Sequence, residues 1–555
     1  MHKLKKIGKW LLYIVVFLVV VLLFGFGYVV YVSKTDPPSI ADSSSLSWER
    51  NDHGNGFYTI GNNWFRKSNS GLYEMYTEGK PFERGVVNGK LSKELVTSQE
   101  DYFNAEIRKM IPSEAYLHFL KYVIGWFNRN LDKNITEEFK KEIYGISTSA
   151  SDKYNYIGTN YQRILNYHAA HDIGHALQNM ALVGCTSFGT WNGASQDSNL
   201  IIGRNFDFYV GDDFAKNKIV SFENPADGYK FMSVTWGGFI GVVSGMNEKG
   251  LTVTINAAKS SIPSGSATPV SLVAREILQY AANISEAIAI AHKRTMFVSE
   301  SFLVGSAADN KAVIIEKTPD TLDVYDPQSD QIECSNHFQG KLLAGSAPNI
   351  EQMTKSASEY RYKRLQELMK EYGKNTVQKT AAILRDRKGL HGADIGLGNE
   401  KAMNQLIAHH AIIFEPQKLL VWVSTSPWQL GEFVAYDLHK IFSLHGLSEN
   451  LELHDSALTI PPDSFLLTRQ FQQFQKYREY AHKMADGGSI NPDSLIANNP
   501  QYYHAYILAG DYCYKHGQLE KAEKYYAQAL TKEIATVNEA EHVRKQIAEI
   551  KKQLE

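Results

Sequence analysis

One cysteine stands in a setting that could make it a nucleophile. Cys185 follows Gly184 and opens the stretch Cys-Thr-Ser-Phe-Gly-Thr-Trp, and the stretch Gly-Arg-Asn-Phe-Asp-Phe begins at Gly203. A thiol attacks a carbonyl efficiently only when a nearby base takes its proton, and an α-amine, with a reference pKa of roughly 7.7 to 8.0, can do so near neutral pH. Cutting the chain at Gly184 would give Cys185 such an amine. The sequence therefore predicts a thiol nucleophile that chain cleavage releases.

The residues around Cys185 predict the element that positions it. β-Branched and aromatic residues follow the cysteine, turn-forming residues occupy 193–199, and an apolar run at 200–202 leads into the second stretch. This is the pattern of a β-hairpin in which Cys185 starts the first strand. The same patterns predict strands at 73–76, 229–236, 241–247, 251–256, 302–304, 311–317, 321–325, 408–414 and 419–424.

Five stretches, in chain order, resemble the penicillin acyltransferase-like (peptidase C45) family of cysteine N-terminal-nucleophile hydrolases, with the choloylglycine hydrolases as more distant relatives. The resemblance covers roughly residues 71 to 426, and it is specific because the stretches match together. Ser335 stands where threonine is commoner in the family, which leaves the neighbouring Asn336 in place. The stretches are 79–89, 184–208, 251–256, 333–338 and 358–362.

The resemblance implies a fold and a role for each matched residue. The fold is α+β, a four-layer αββα sandwich in which helices cover two antiparallel sheets. Cys185 would attack its own preceding carbonyl and later a substrate amide, Asp207 would hold the new α-amine, and Arg204 would tune the local charge. Asn256 and Asn336 would bind the oxyanion, and losing one such donor typically costs about 2.7 to 4 kcal/mol of barrier.

Two of the matched residues keep a structural alternative. Asn256 ends a strand, where it could serve only as a cap. Arg361, in Ser-Glu-Tyr-Arg, is the candidate substrate-binding residue, since relatives use an arginine here to order the site or to meet a substrate carboxylate. It could equally pair with a surface acid.

A His-x-x-x-His pair offers a competing metal interpretation. His171 and His175 stand four residues apart, as in the His-Glu-x-x-His zinc signature. Asp172 is too short to replace the glutamate base of that signature, and Gly174 weakens the helix that would hold the ligands. We therefore expect no metal and no cofactor, and interpret the segment as a polar helix end before the Gly184–Cys185 bond.

The N-terminus predicts a membrane anchor. Trp10 to Val32 contain no charged residue, and as a helix these 23 residues are about 34 Å long, enough to cross a bilayer. A cleaved signal peptide is the alternative, but its apolar core is usually about 7 to 15 residues with a small-residue cleavage site. Lysines precede the run, so the N-terminus should stay in the cytoplasm and the catalytic domain should be extracytoplasmic.

The remaining chain divides by composition and pattern. Residues 36–47 form a tether that is too polar to pack, and residues 91–180 are mostly helical. We predict that the apolar positions Tyr116, Phe119, Leu120, Val123 and Ile124 are core. The predicted division is a basic tail at 1–9, a transmembrane anchor at 10–32, a tether and lead-in segment at 33–70, a helical pro-segment at 71–184, a catalytic core at 185–445 and a helical region at 460–555.

The C-terminal region carries one tetratricopeptide (TPR)-like repeat. A single unit is too little for a stable array, so it would be a helical appendix on the hydrolase domain or a cap for a protein partner. The positions that match the repeat are Tyr506, Gly510, Gly517, Ala522, Tyr526 and Ala529.

Composition and resemblance together predict the function. The net charge of −2 gives no basic field for nucleic acid, and the three scattered cysteines form no disulfide framework. We expect a membrane-anchored, self-cleaving cysteine amidohydrolase that acts on a small-molecule, non-peptide N-acyl amide. An acyltransferase is the alternative within the family, although an exported enzyme has little access to coenzyme A. A non-catalytic, membrane-tethered binding module that uses the TPR-like region is the alternative of another class.

Overall fold

The computed structural model of the chain describes residues 2–111, 113–177, 184–209, 211–259, 265–448 and 451–555. These residues form two β-sheets and many helices, so the prediction that the fold contains both helices and sheets is confirmed. The described strands are β1 Asn51–Asp52, β2 Tyr58–Ile60, β3 Asn63–Lys67, β4 Tyr73–Gly79, β5 Thr186–Thr190, β6 Ile201–Phe206, β7 Ile219–Pro225, β8 Phe231–Thr235, β9 Ser244–Asn247, β10 Leu251–Ala257, β11 Glu300–Ser306, β12 Lys311–Lys317, β13 Leu322–Tyr325, β14 Gln331–Cys334, β15 His410–Glu415, β16 Leu420–Ser424 and β17 Phe433–Asp437.

Helices precede, interrupt and follow these strands. They are α1 His2–Val32, α2 Pro81–Leu91, α3 Lys93–Met110, α4 Glu114–Phe127, α5 Glu137–Ser147, α6 Asn160–Leu177, α7 Val270–Tyr280, α8 Ile284–Lys293, α9 Ala347–Lys355, α10 Ser358–Tyr372, α11 Val377–Leu384, α12 Leu438–Phe442, α13 Arg469–Ala485, α14 Pro492–Ala497, α15 Tyr503–Lys515, α16 Leu519–Ala529 and α17 Val537–Leu554.

The two sheets differ in size and face each other. The large sheet has the order β1-β2-β3-β4-β7-β8-β9-β10-β11-β12-β13, and the small sheet has the order β14-β5-β6-β15-β16-β17. Neighbouring strands among those described are antiparallel except β4 and β7, which are parallel. Apolar side chains from both sheets, such as Leu303 and Ile314 of the large sheet and Ile412 of the small sheet, share one buried cluster. The inner faces of the sheets therefore form a common core.

Helices pack on the outer faces of both sheets. Val253 and Val304 of the large sheet share a buried cluster with Val273 of α7. On the small sheet, Ile413 packs with Leu365 of α10, in a cluster that also holds residues of α11. Period-2 alternation within each strand produces this arrangement, because successive side chains enter opposite clusters.

The segment expected to be an unpacked tether contacts the domain. Ser44–Ser47 form a short 3-10 helix with Ser45 fully buried. Lys90 of α2 donates hydrogen bonds to the carbonyls of Leu46 at 2.7 Å and Trp48 at 2.5 Å. The prediction that these residues are too polar to pack is wrong, because backbone carbonyls supply partners that composition does not reveal.

Helix α4 is not a core helix. Tyr116, Phe119, Val123 and Ile124 are 51%, 54%, 43% and 39% exposed. The helix lies beside α1, where the rings of Phe26 and Tyr122 are 5.4 Å apart. The core prediction for this apolar stripe is therefore wrong, since helical spacing identifies an apolar face but not what covers it.

Candidate active site

The hairpin of β5 and β6 brings Cys185 beside two charged residues. Thr186 pairs with Asn205 and Ser187 with Arg204, so Cys185, one residue before β5, lies at the end of β6. The Gly184 N–H donates to the Asp207 carbonyl at 3.0 Å, and the Cys185 thiol is 3.9 Å from the same oxygen. The hairpin predicted from the sequence is therefore present and positions all of these groups.

Arg204 connects Cys185 to the large sheet. Its Nη2 donates to Cys185 Sγ at 3.7 Å and to the Ile255 carbonyl, and its Nη1 donates to the Val243 carbonyl at 2.8 Å and to Ser244 Oγ. The side chain is fully buried, which lowers the pKa of its guanidinium. A charge held this close to sulfur favours the thiolate.

The thiol is nevertheless protonated in the uncut chain. Cys185 is 1% exposed, and burial raises the pKa of its thiol to about 11, against the opposing charge of Arg204. A thiol with such a pKa needs a local base at neutral pH. This is the property expected of a nucleophile that acts on an external substrate only after its own α-amine becomes free.

The carbonyl of the Gly184–Cys185 bond has a dedicated donor. Gln405 Nε2 donates to the Gly184 oxygen at 2.7 Å and reaches Asp207 Oδ2 at 3.5 Å. A Cβ at residue 184 would lie 2.5 Å from the Gln405 amide nitrogen, so a side chain there would displace the Gln405 amide from its present position. Sequence reasoning missed Gln405, which sits in an irregular segment with no motif and reaches the bond only through the tertiary fold.

Asp207 is a buried carboxyl with one free oxygen. Its Oδ1 has no hydrogen-bond partner within the part of the chain that the structure describes. Burial raises the pKa of Asp207 to about 7, while the charges of Arg361 and Arg204 act to lower it. An unpartnered carboxylate oxygen beside Cys185 is suited to receive an ammonium group.

The two asparagines lie at adjoining strand ends, bonded to backbone. Asn256 Nδ2 donates to the carbonyls of Cys334 and Ser335 at 3.2 and 3.3 Å, and its Oδ1 accepts from Ser187 at 3.0 Å. Asn336 Nδ2 donates to the Ala257 carbonyl at 2.9 Å. Both amide groups thus link β10 to the segment after β14, and their oxyanion role stays a prediction.

Arg361 is buried within the site and makes no ion pair among the described residues. Its Nη2 donates to Asn336 Oδ1 at 2.5 Å and its Nη1 to the Glu400 carbonyl at 2.7 Å. Burial lowers the pKa of Arg361. One turn along α10, Arg364 is the arginine that pairs with acids, Glu367 and Asp386. The contacts favour an ordering role for Arg361 over a surface ion pair.

Ser244, His409 and His410 form a chain of hydrogen bonds that ends at Arg204, and the sequence did not predict this chain. His410 Nε2 is 2.9 Å from Ser244 Oγ, and His409 Nδ1 is 2.9 Å from His410 Nδ1. Burial lowers the pKa of both imidazoles well below 6.5, so they are neutral. Ser244 Oγ in turn accepts a hydrogen bond from the Arg204 guanidinium, so the two histidines contact Arg204 through Ser244.

The metal alternative gains no support from the described residues. Among them, no three His, Cys, Asp or Glu side chains are placed to hold an ion. The side chains of His171 and His175 lie outside the described part of the chain. Asp172 Oδ2 accepts from the Val270 N–H at 2.8 Å.

A small apolar pocket adjoins the residue after Asp207. It has a volume of about 50 Å³. Aromatic rings of α3, α6 and the loops after β6 and β8 line most of it, including Phe103, Tyr167, Phe208, Phe214, Trp236 and Phe239.

Known proteins resemble this chain. Residues 191–425 match the family model of acyl-coenzyme A:6-aminopenicillanic acid acyl-transferase, a region that begins after Gly184 and Cys185 and contains the other five predicted site residues. An uncharacterized protein of Archaeoglobus fulgidus is 24% identical over 401 residues, covering 65% of this chain and 65% of its own. The N-acylethanolamine-hydrolyzing acid amidase of Caenorhabditis elegans is 26% identical over 223 residues, covering 38% of this chain and 58% of its own.

A solved structure is also similar. Penicillin V acylase from Agrobacterium tumefaciens is 17% identical, with 46% of this chain and 87% of that chain covered and a TM-score of 0.32. The chain spans 65% and 58% of the length of the two curated relatives.

Proposed function

Residues 191–425 of this chain belong to the acyl-coenzyme A:6-aminopenicillanic acid acyl-transferase family, and on that premise we propose that the protein is a self-cleaving cysteine amidohydrolase. The observation that carries the proposal is the joint placement of Cys185, Arg204 and Asp207 around a Gly184 carbonyl that Gln405 holds. The four-layer αββα arrangement is part of the proposal. It is supported by the common core of the sheets and by the helices on their outer faces.

Self-cleavage begins with the buried thiol. Cys185 Sγ attacks the Gly184 carbonyl carbon, and Gln405 donates to the oxygen as it becomes an oxyanion. The C–N bond then breaks, the thiol proton passes to the departing amine, and a thioester joins Gly184 to sulfur. Water hydrolyses the thioester, which leaves a Gly184 carboxylate and a Cys185 that carries both a thiol and an α-amine. Asp207 Oδ1 holds the new ammonium.

The same groups then act on the substrate. The α-ammonium of Cys185 first loses a proton to solvent, and the neutral α-amine then takes the thiol proton. Sulfur attacks the amide carbonyl of the substrate, and the amine of the substrate leaves with that proton. Water hydrolyses the resulting thioester and releases the acid. Asn256 and Asn336 stabilise the oxyanion, and Arg361 orders Asn336. The aromatic pocket beside Phe208 receives apolar atoms of the acyl group.

The substrate class and the location are further parts of the proposal. The C. elegans relative is, by its name, an amidase for N-acylethanolamines, which supports a small N-acyl amide as the substrate. Residues 6–32 of α1 are long and apolar enough to span a membrane, and the most apolar stretch is wholly unburied. The exposed apolar face of α4 lies beside α1. These features support a membrane anchor. The lysines before the apolar run support an extracytoplasmic catalytic domain, and hence hydrolysis rather than transfer from coenzyme A.

Two measurements test the proposal. Intact mass spectrometry of the purified protein should find residues 1–184 and 185–555 as separate chains. The cut protein should release amines from a panel of N-acyl amides in water, without coenzyme A. Activity in a chain whose Gly184–Cys185 bond is whole would refute the mechanism. Acyl transfer that depends on an added thioester, with no hydrolysis, would favour the acyltransferase.

A further inference from the structure

One irregular loop carries two of the contacts on which the site depends. The site loop, residues 396–406, contains no helix or strand, yet most of its residues are buried. Its Gln405 donates to the Gly184 carbonyl, and its Glu400 carbonyl accepts from Arg361. A buried loop has no ladder of its own to satisfy its backbone groups, so other parts of the fold must supply partners.

The C-terminal helices supply those partners. Asn499 follows α14. Its Oδ1 accepts a hydrogen bond from the Leu397 N–H at 3.1 Å, and its Nδ2 donates one to the Leu397 carbonyl at 2.7 Å. This one side chain satisfies both backbone groups of Leu397, as a neighbouring strand would. Gly396, with φ at +81°, packs so closely on Tyr502 that a Cβ would not fit.

The contacts continue along the site loop toward the site. Asn399 Nδ2 donates to the Glu533 carbonyl at 2.9 Å, and Lys401 Nζ pairs with the Glu533 carboxylate at 2.5 Å. The hydroxyl of Tyr503 of α15, which is fully buried, lies 2.7 Å from Glu539 Oε1 and 3.1 Å from Glu400 Oε2, so it links α17 to the site loop.

The outer residues of the site loop belong to the core of the helical region. Leu397 and Leu406 share a buried cluster with Phe474, Tyr503 and Tyr526. The loop therefore lies between the helical region on one side and the scissile bond with Arg361 on the other. Helices α13–α17 start at Arg469, beyond residues 191–425 that match the family, so this support is an addition to the matched region.

We infer that helices α13–α17 hold the site loop and thereby position Gln405 and Arg361, which makes the TPR-like region a part of the catalytic scaffold. Asn499 and Tyr503 are positioning residues, since they act through the loop and touch neither Gly184 nor Cys185. The inference rests on the proposed function, because the reaction in which the loop takes part is the one proposed for Cys185.

The test compares neighbouring asparagines in the full-length chain. Asn499→Ala removes both bonds to Leu397, whereas Asn498→Ala removes only a local bond to the Ser494 carbonyl. Hydrogen exchange measured by mass spectrometry follows peptides from the site loop, from 184–190 and from 333–338. Self-cleavage is followed in the same samples. We expect roughly tenfold faster exchange in all three peptides and roughly tenfold slower cleavage for Asn499→Ala, because two hydrogen bonds are lost, and no change for Asn498→Ala.

The outcomes separate this inference from the proposed function. Unchanged exchange at 184–190 and 333–338 in Asn499→Ala would overturn the inference, whether or not the chain cuts itself. A wild-type chain that stays whole would refute self-cleavage, and the exchange data would still decide the role of the loop.

If Asn499→Ala unfolds the helices, a second pair of variants, each of which removes one hydroxyl group, tests the same inference. Tyr503→Phe removes a hydroxyl that contacts Glu400 and Glu539, and Tyr526→Phe removes one whose hydrogen bond among the described residues is to Asp511. We expect Tyr503→Phe to lower kcat with KM unchanged and to speed exchange at 333–338, and Tyr526→Phe to do neither. Equal behaviour of the two variants would contradict the inference.

Discussion

Gln405 provides the sharpest test of the cleavage mechanism. Its amide nitrogen lies 2.7 Å from the Gly184 oxygen, and the side chain is 2% exposed, so no water can replace the donor without a rearrangement. Gln405→Met keeps a similar length and volume but removes the N–H. Losing one oxyanion donor costs about 2.7 to 4 kcal/mol of barrier, which corresponds to roughly 10² to 10³ slower cleavage.

The assay measures the conversion of the full chain to residues 1–184 and 185–555 after a pulse of synthesis. Gln429→Met is the matched control, because Gln429 is a fully buried glutamine whose amide atoms have no partner within the described residues. The control should cut at the wild-type rate, which separates loss of the donor from loss of a buried amide. Cleavage of Gln405→Met within about threefold of wild type, in a chain with the same thermal midpoint as the control, would refute the assigned role.

Four further outcomes are expected. Cys185→Ala should remain whole and inactive by mass spectrometry, and Cys185→Ser should cut slowly, because a hydroxyl is a poorer nucleophile than a thiol; normal cutting of the alanine variant would exclude the thiol mechanism. Arg361→Lys should lower kcat by roughly 10- to 100-fold with KM unchanged, since it loses a charge-assisted bond, whereas Arg364→Lys should leave kcat unchanged; a selective rise in KM would instead indicate a substrate contact. In an uncut Cys185→Ala background, the folded pKa of Asp207 is raised from 3.8 to about 7, so the folded chain binds more protons than the unfolded chain in that window and loses stability as pH rises from about 4 to 7. Adding Asp207→Asn should remove that part of the loss, on the order of 4 kcal/mol, and identical melting profiles of the two variants from pH 4 to 8 would contradict the assigned pKa shift. Reporter proteins fused after residue 50 should be active only outside the cytoplasm, and a cytoplasmic signal would reverse the topology.

The sequence predicted those strands and turns whose formation depends on neighbouring residues. The hairpin at Cys185 and the strand that ends at Asn256 were predictable because alternation and turn residues mark them in the sequence. Strand β7 was not predicted, because its buried positions include the polar residues Ser221 and Glu223. Glu223 pairs with Arg275 of α7, a partner that is distant in the chain. Strands β1, β2, β3, β14 and β17 were also missed.

The rest of the site depends on contacts that are distant in the chain. Gln405 lies 221 residues from Gly184, and no spacing rule connects them. For α4 the predicted helical periodicity was right, but the predicted burial of its apolar face was wrong. A single sequence shows that a helix has an apolar face but not whether other parts of the protein cover that face. The matched motifs were carried by the family resemblance, whereas Gln405, Ser244 and the site loop needed coordinates.

The parallel pairing of β4 with β7 has a mechanical consequence. It joins seven residue pairs, from Tyr73 with Ile219 to Gly79 with Pro225. Strand β4 lies before the Gly184–Cys185 bond in the chain and β7 lies after it. All three cysteines are free thiols, so after a cut the link between the anchor-bearing chain and the nucleophile-bearing chain would be non-covalent. Separating them would split the large sheet and leave two unpaired strand edges, and a pull along the strands would load this row of hydrogen bonds in shear. With α1 as the proposed membrane anchor, the cut catalytic chain should stay at the membrane through treatments that remove peripheral proteins, and should leave only when the sheet unfolds.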